Sequence, residues 1–348
     1  MKKNKSKHYL LFASLCGLGI IACVYYYFFT SLSNSNETQY LYIDADDNID
    51  SVENKLSEIA TPHGSNAFKI LARHTDYADH IKTGRYAVSA SNGALITFRH
   101  IKNGMQEPVN LTIPSVRTIG RLSAEIAKHL MLDSTEIASA LTNEATCQKY
   151  GYDTSTIACM FIPNTYGVYW NISIEKFLSR MKHENDNFWS AERTTKAKEL
   201  KLSKDEVITL ASIIDEETAN NAEKPMVAGM YYNRLMLRNA EYPKGMPLQA
   251  DPTIKYAWKN FELRRIYHNL LNIDSPYNTY RYEGLPPGPI RIPSVAGIDA
   301  VLNLTHHNYL YMCAKEDFSG THNFATTYKE HLANAAKYAA ALNARGIK

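Results

Sequence analysis

The run "ASIIDEET", Ala211 to Thr218, ends in three consecutive carboxylates, Asp215, Glu216 and Glu217. "SKDEVITLASIIDEETA" places Ser203 and Glu206 at capping-box spacing, which predicts a helix starting there and fixes its register. At about 100° per residue, Val207, Leu210, Ala211 and Ile214 share a stripe, with Glu217 roughly 60°, Asp215 roughly 100° and Glu216 roughly 160° from its centre. Glu216 is then expected to face solvent, whereas Glu217 lies at the apolar margin in the last turn. Desolvation and the negative end of the helix dipole both raise a carboxyl pKa there, as a general acid working near neutrality requires. The alternative is a helix-end glutamate making a surface or ion-pair contact.

Downstream, "MPLQADPTIKYA", "SPYNTY", "GLPPGPIRIPS" and "THNFATTYKEH" supply Gln249, Asp251, Asn278, Thr279, Tyr280, His322 and Asn323 from loop-like sequence. Polar and aromatic side chains on proline-stiffened loops beside a partly buried acid are suited to a carbohydrate groove. Each has a plainer reading: "GLPPG" is a rigid turn, and Asp251 with Pro252 is a helix cap followed by its first residue.

The elements that must position these residues are mostly helical. Segments at Ser173 to Lys182, Phe188 to Leu200, Lys204 to Thr218 and Pro225 to Arg238 precede a stretch rich in proline, glycine and tyrosine, and "YKEHLANAAKYAAALNARG" is a last helix. Earlier, "QYLYI", "NIDSVENKLSEIA", "NAFKILARH" and "GRYAVS" read as a β-α-α-β unit. "GALITFRHIKNG" is then helical, "PVNLTI" extended, and "TIGRLSAEIAKHLML" and "STEIASALTNEATCQKYG" one amphipathic helix each. The fold class is α+β.

"YLLFASLCGLGIIACVYYYFF", Tyr9 to Phe29, is uncharged and, at about 1.5 Å per residue, spans roughly 30 Å, a bilayer core. Lys2, Lys3, Lys5 and Lys7 before it predict a cytoplasmic N-terminus and an outer location for the rest. A cleaved signal peptide fits less well, because the run ends in bulky aromatics. Lipidation at Cys23 of "IIAC" would leave an apolar mature start. The formal net charge is +3, and without those four lysines it is −1, which argues against nucleic acid as a partner. Cys147, Cys159 and Cys313, outside the span, allow at most one disulfide and lack zinc-site spacing. Tyrosine, with 24 copies, suits either polymer-binding grooves or half-buried packing.

"LASIIDEETA", "YYNRL", "LQADPTIKYA", "YNTY", "GLPPGPI" and "HNFATTYKEH", in this order, resemble the endolytic murein transglycosylases of the MltG (YceG-like) family over about Phe161 to His331. The resemblance implies residues 1–8 cytoplasmic, a transmembrane helix at 9–29, a tether at 30–38, a small β-α-α-β LysM-like module at 39–118, a helical bridge at 119–160 and a mostly helical catalytic domain with long loops at 161–348. It implies a lyase that cuts nascent glycan strands at the cytoplasmic membrane, needs no cofactor or metal, and has peptidoglycan strands, the membrane and a peptidoglycan synthase as partners. In the family the acid is the second glutamate of E-x-E-T, here Glu217, and the first is replaced by Asp215. Gln249, Asp251, Asn278, Thr279, Tyr280, His322 and Asn323 are the expected substrate-binding residues. A hydrolytic muramidase, with Asp251 as second carboxylate, and a non-catalytic wall-binding scaffold are the rival readings.

Overall fold

A computed structural model describes residues 2–263 and 265–346, with side chains from Lys7 onward. The chain divides into two compact units. One comprises residues 1–111, 129–132 and 166–172, and the other residues 112–128, 133–165 and 173–348.

The first unit begins with helix α1 (Lys2–Phe29), of which Lys7–Phe29 is long and apolar enough to cross a membrane. Strand β1 (Gln39–Ile43), helices α2 (Ile49–Ile59) and α3 (Pro62–Arg73) and strand β2 (Gly84–Val88) form the expected β-α-α-β unit, β1 and β2 pairing antiparallel from Gln39 opposite Val88 to Ile43 opposite Gly84. Helix α4 (Ala94–Asn103) and strand β3 (Val109–Thr112) follow. The unit has its own core, in which Phe68, Tyr77 and Phe98 meet edge to face at 5.3 to 5.7 Å, and Tyr77 and Tyr86 are fully buried. Part of the tyrosine excess is therefore core packing. The last turn of α1 is pinned to α3 by the Tyr26 and His63 rings, 4.5 Å apart, and by the Thr30 hydroxyl 2.9 Å from His63 Nε2. At Gly93, just before α4, a Cβ would lie 2.8 Å from the Phe29 carbonyl, so only glycine permits this approach.

The remaining elements are α5 (Ile119–Ala127), α6 (Ser134–Thr142), α7 (Glu144–Lys149), β4 (Thr165–Val168), which pairs with β3, α8 (Ile174–Phe188), α9 (Ala191–Glu199), α10 (Lys204–Glu217), α11 (Lys224–Met236), α12 (Asp251–Ala257), α13 (Val295–Leu302), β5 (Tyr311–Ala314), β6 (His322–Ala325) and α14 (Tyr328–Ala344). The single helix expected over "STEIASALTNEATCQKYG" is two, because Asn143 leaves the helical conformation and its side chain caps α7 through the Thr146 amide. All five cysteines are free thiols.

In the second unit, α10 occupies the centre of the core. Its capping box forms as expected, Glu206 Oε2 accepting from the Ser203 amide at 2.7 Å and Ser203 Oγ from the Glu206 amide at 3.2 Å. The expectation of one buried stripe is too narrow: Val207 through Ile214 are all buried, Thr209 and Ser212 included. Ser212 Oγ donates to the Thr209 carbonyl and accepts from the Ile290 amide at 3.0 Å, which ties the "GLPPGPI" loop to the helix without leaving a buried hydroxyl unpaired.

Candidate active site

The three carboxylates at the end of α10 meet three different environments. Asp215 is buried, with Lys224 Nζ 2.6 Å from its Oδ1, the Ser294 hydroxyl donating to Oδ1 at 3.0 Å and the Ser294 amide to Oδ2 at 2.5 Å. It thereby ties the end of α10 to the start of α11 and the cap of α13. A Cβ at Gly297 would lie 2.6 Å from Asp215 Oδ1, so that turn of α13 has room only for glycine.

Glu216, expected in solvent, is instead held between two arginines. Arg117 grips it with Nε and Nη2 at 2.7 and 2.8 Å, and Arg291 Nη1 is 3.0 Å from Oε1, leaving the side chain 9% exposed. The outward side of α10 is covered by a segment about a hundred residues earlier, which a helical wheel cannot register.

Glu217 faces a cleft of about 270 Å³. The buried Tyr231 phenol donates to its Oε1 at 2.6 Å. Burial pushes the Glu217 carboxyl up to about 7, the charge of Asp251 adds to this, and the Tyr231 hydrogen bond, His322 and Arg234 oppose it. Burial also raises the Tyr231 pKa, so its phenol stays a donor. Arg234 is fixed in the wall by donating to the carbonyls of Leu310 and Leu248 at 2.5 and 2.7 Å.

Of the residues expected to bind sugar, Gln249, Asp251 and Tyr280 line this cleft together with Glu217. Gln249 has a left-handed backbone, φ 50°, uncommon for a side-chain-bearing residue, and its amide is bonded to the Thr279 carbonyl at 3.0 Å. Asp251 does not cap α12: Ala250 occupies that position, and Asp251 Oδ1 accepts from the Tyr280 hydroxyl at 2.5 Å instead.

Asn278 and Thr279 do not line the cleft. Asn278 is fully buried and donates to the carbonyls of Leu271 and Ile273 while accepting from the Tyr280 amide, so it satisfies its own loop's backbone. Thr279 Oγ1 accepts from the Ala250 amide at 3.1 Å and lies 2.8 Å from Thr253 Oγ1. Both build the loop from which Tyr280 projects. His322 and Asn323, on β6, also stand outside the lining. The His322 amide and Nδ1 bond Glu223, which also accepts from Thr218 just beyond Glu217, and Asn323 donates to Glu316.

Residues 41–337 match the YceG-like family. The chain belongs to that family. Proteins named endolytic murein transglycosylase from Streptococcus pneumoniae (strain D39) and Bacillus subtilis are similar to it, at 27% identity over 83% of this chain and 36% over 49%. The chain spans 60% and 44% of the length of those two relatives. A crystal structure of a yceG-like protein from Listeria monocytogenes superposes with a TM-score of 0.54 at 25% identity, covering 86% of this chain and 99% of that one.

Within "YYNRL", this YceG-like chain keeps Tyr231 and Arg234 for the cleft, while Tyr232 bonds the Leu200 carbonyl. Met230, Met312 and His331 complete the lining. The His331 pKa is lowered, by burial first and by Arg234, so its imidazole is neutral near pH 7.

Proposed function

We propose that this protein is a membrane-anchored lytic transglycosylase of peptidoglycan, with Glu217 as its acid and base. The observation that carries this reading is one desolvated glutamate, titrating at about 7, at the wall of a polar cleft. Protonated Glu217 would deliver its proton to the glycosidic oxygen between N-acetylmuramic acid and N-acetylglucosamine as that bond breaks. The resulting carboxylate would accept the proton of the muramic 6-hydroxyl as that oxygen closes on C1, leaving a 1,6-anhydro end and a restored acid. Tyr231, which touches Glu217, favours its charged form between the two steps.

Residues 39–118 are read as a LysM-like glycan-binding module, its support being the β-α-α-β order and antiparallel pairing of its first fifty residues. Residues 9–29 are read as the anchor, with the N-terminus inside, on the strength of the apolar length of α1 and the lysines before it.

Mass spectrometry of purified glycan strands after incubation is the test: anhydro ends are expected, reducing ends would assign hydrolysis, and intact strands would leave a binding scaffold. The pH profile of cutting gives an independent check. Only protonated Glu217 can act as acid, so the rate should fall as pH rises through about 7. The Asp251 charge raises the Glu217 pKa and the Tyr231 hydrogen bond lowers it, so Asp251→Asn should move that alkaline limb to lower pH and Tyr231→Phe to higher pH. Shifts of the same sign in both variants would contradict the assignment.

A further inference from the structure

A second cavity, of about 470 Å³, lies in the first unit between the end of α1 and α3, within the size range of sites for small ligands. Its α1 wall includes Val24, Tyr27 and Phe28, and its α3 wall includes Lys69, Ile70 and Arg73. Both sets follow helical spacing, so one apolar stripe faces one cationic stripe. Lys69 Nζ is 3.5 Å from Glu53 Oε2, and Arg73, exposed in the last turn of α3, has no carboxylate partner among the described residues.

The depth of this groove follows from α1. Val24 to Phe28 lie within about 8 Å of the C-terminal end of the apolar stretch Lys7–Phe29, which is the thickness of a headgroup layer. Helices α3 and α4 pack at that same end, and each exposes an isoleucine, Ile70 at 42% and Ile96 at 46%, as befits a surface resting in the interface rather than in water.

We propose that this groove seats one anionic glycerophospholipid, with its phosphate on Arg73 and Lys69 and an acyl chain along Val24, Phe28 and Ile70. A phosphate matches the uncompensated guanidinium, and the apolar α1 wall continues directly into the hydrocarbon layer. The inference rests on the reading of α1 as a membrane anchor. The seated lipid would fix the first unit's orientation at the membrane surface.

The test uses the full chain in nanodiscs containing equal phosphatidylglycerol and phosphatidylcholine, with a trace of polyprenyl phosphate, and native mass spectrometry of the lipid retained on release. One phosphatidylglycerol per chain is expected. Arg73→Gln should lower its retention about fivefold and the double variant with Lys69→Gln further, given the usual contribution of one cation at a membrane surface. Ile70→Trp, which narrows the groove and keeps both charges, should also release the lipid, and melting temperatures should be unchanged in all three. Equal retention of the two phospholipids, retention unaffected by Arg73→Gln, or preferential retention of polyprenyl phosphate would each overturn the proposal while leaving the anchor intact. A chain that fails to enter the discs would overturn the anchor reading and the lipid site together.

Discussion

Glu217→Gln should abolish glycan cutting to within a few thousandths of the wild-type rate, since proton transfer by a placed side chain contributes roughly 10²- to 10⁴-fold and the amide cannot supply it. The same substitution should make the protein more stable at alkaline pH. A carboxyl that titrates at about 7 when folded and near 4.5 when unfolded binds its proton more tightly in the folded state, so stability falls as pH rises from 4.5 through 7. The gap of about 2.5 units corresponds to roughly 3 kcal/mol at pH 8, and glutamine escapes that cost. Urea melts at pH 4 and pH 8 alongside cutting rates check both parts: near equality at pH 4 and a more stable variant at pH 8 are expected. Glu216→Gln is the contrasting control, because it breaks contacts with Arg117 and Arg291 and should lower the melting temperature with no gain at pH 8. A Glu217→Gln enzyme that still cuts would remove this residue from the chemistry.

Lys224→Met should be among the most destabilising single changes in the second unit. It keeps the length and bulk of the side chain but leaves Asp215 buried beside Ser294 with its cation gone, and breaking one side of such a pair costs about 3–5 kcal/mol. In a unit of this size that is a fall of roughly 10 °C in melting temperature. Adding Asp215→Asn should recover much of the loss, since the remaining partners are then neutral, and a double-mutant cycle would report the coupling. Activity should fall in the single variant and return in part in the double. Additive losses would show that Asp215 and Lys224 act separately.

The placement of Glu217 was legible because a capping box fixed the start of α10 and fourteen residues of unbroken helix, Lys204–Glu217, carried the register to it. Its neighbours were less so. "VITLASII" contains no charged residue, and that pattern describes a helix buried all round better than a striped one, which is why Glu216 was misplaced. The arginines that cover Glu216 come from residues 117 and 291, and no local pattern pairs them with it. Asn278 and Thr279 looked like ligand-binding residues because they are polar and lie in a loop. A compact loop must also satisfy its own amides and carbonyls, and these two side chains do that. Of the adjacent tyrosines 231 and 232, only the structure distinguishes the one that reaches the acid.

Eight consecutive buried residues leading to Glu217 also say where this molecule can and cannot yield. A helix packed on every side has no free surface to slide along, so the amides of Val207–Ile214 should exchange with deuterium only when the whole unit opens, whereas those of the loop from Tyr277 to Tyr282 should exchange through local opening. If Glu217 is the proton donor, accommodation of strands of differing composition would then fall to Gln249, Asp251 and Tyr280, which line the cleft with it. Selection for a new substrate in the laboratory should accumulate its changes in those loops and leave α10 untouched.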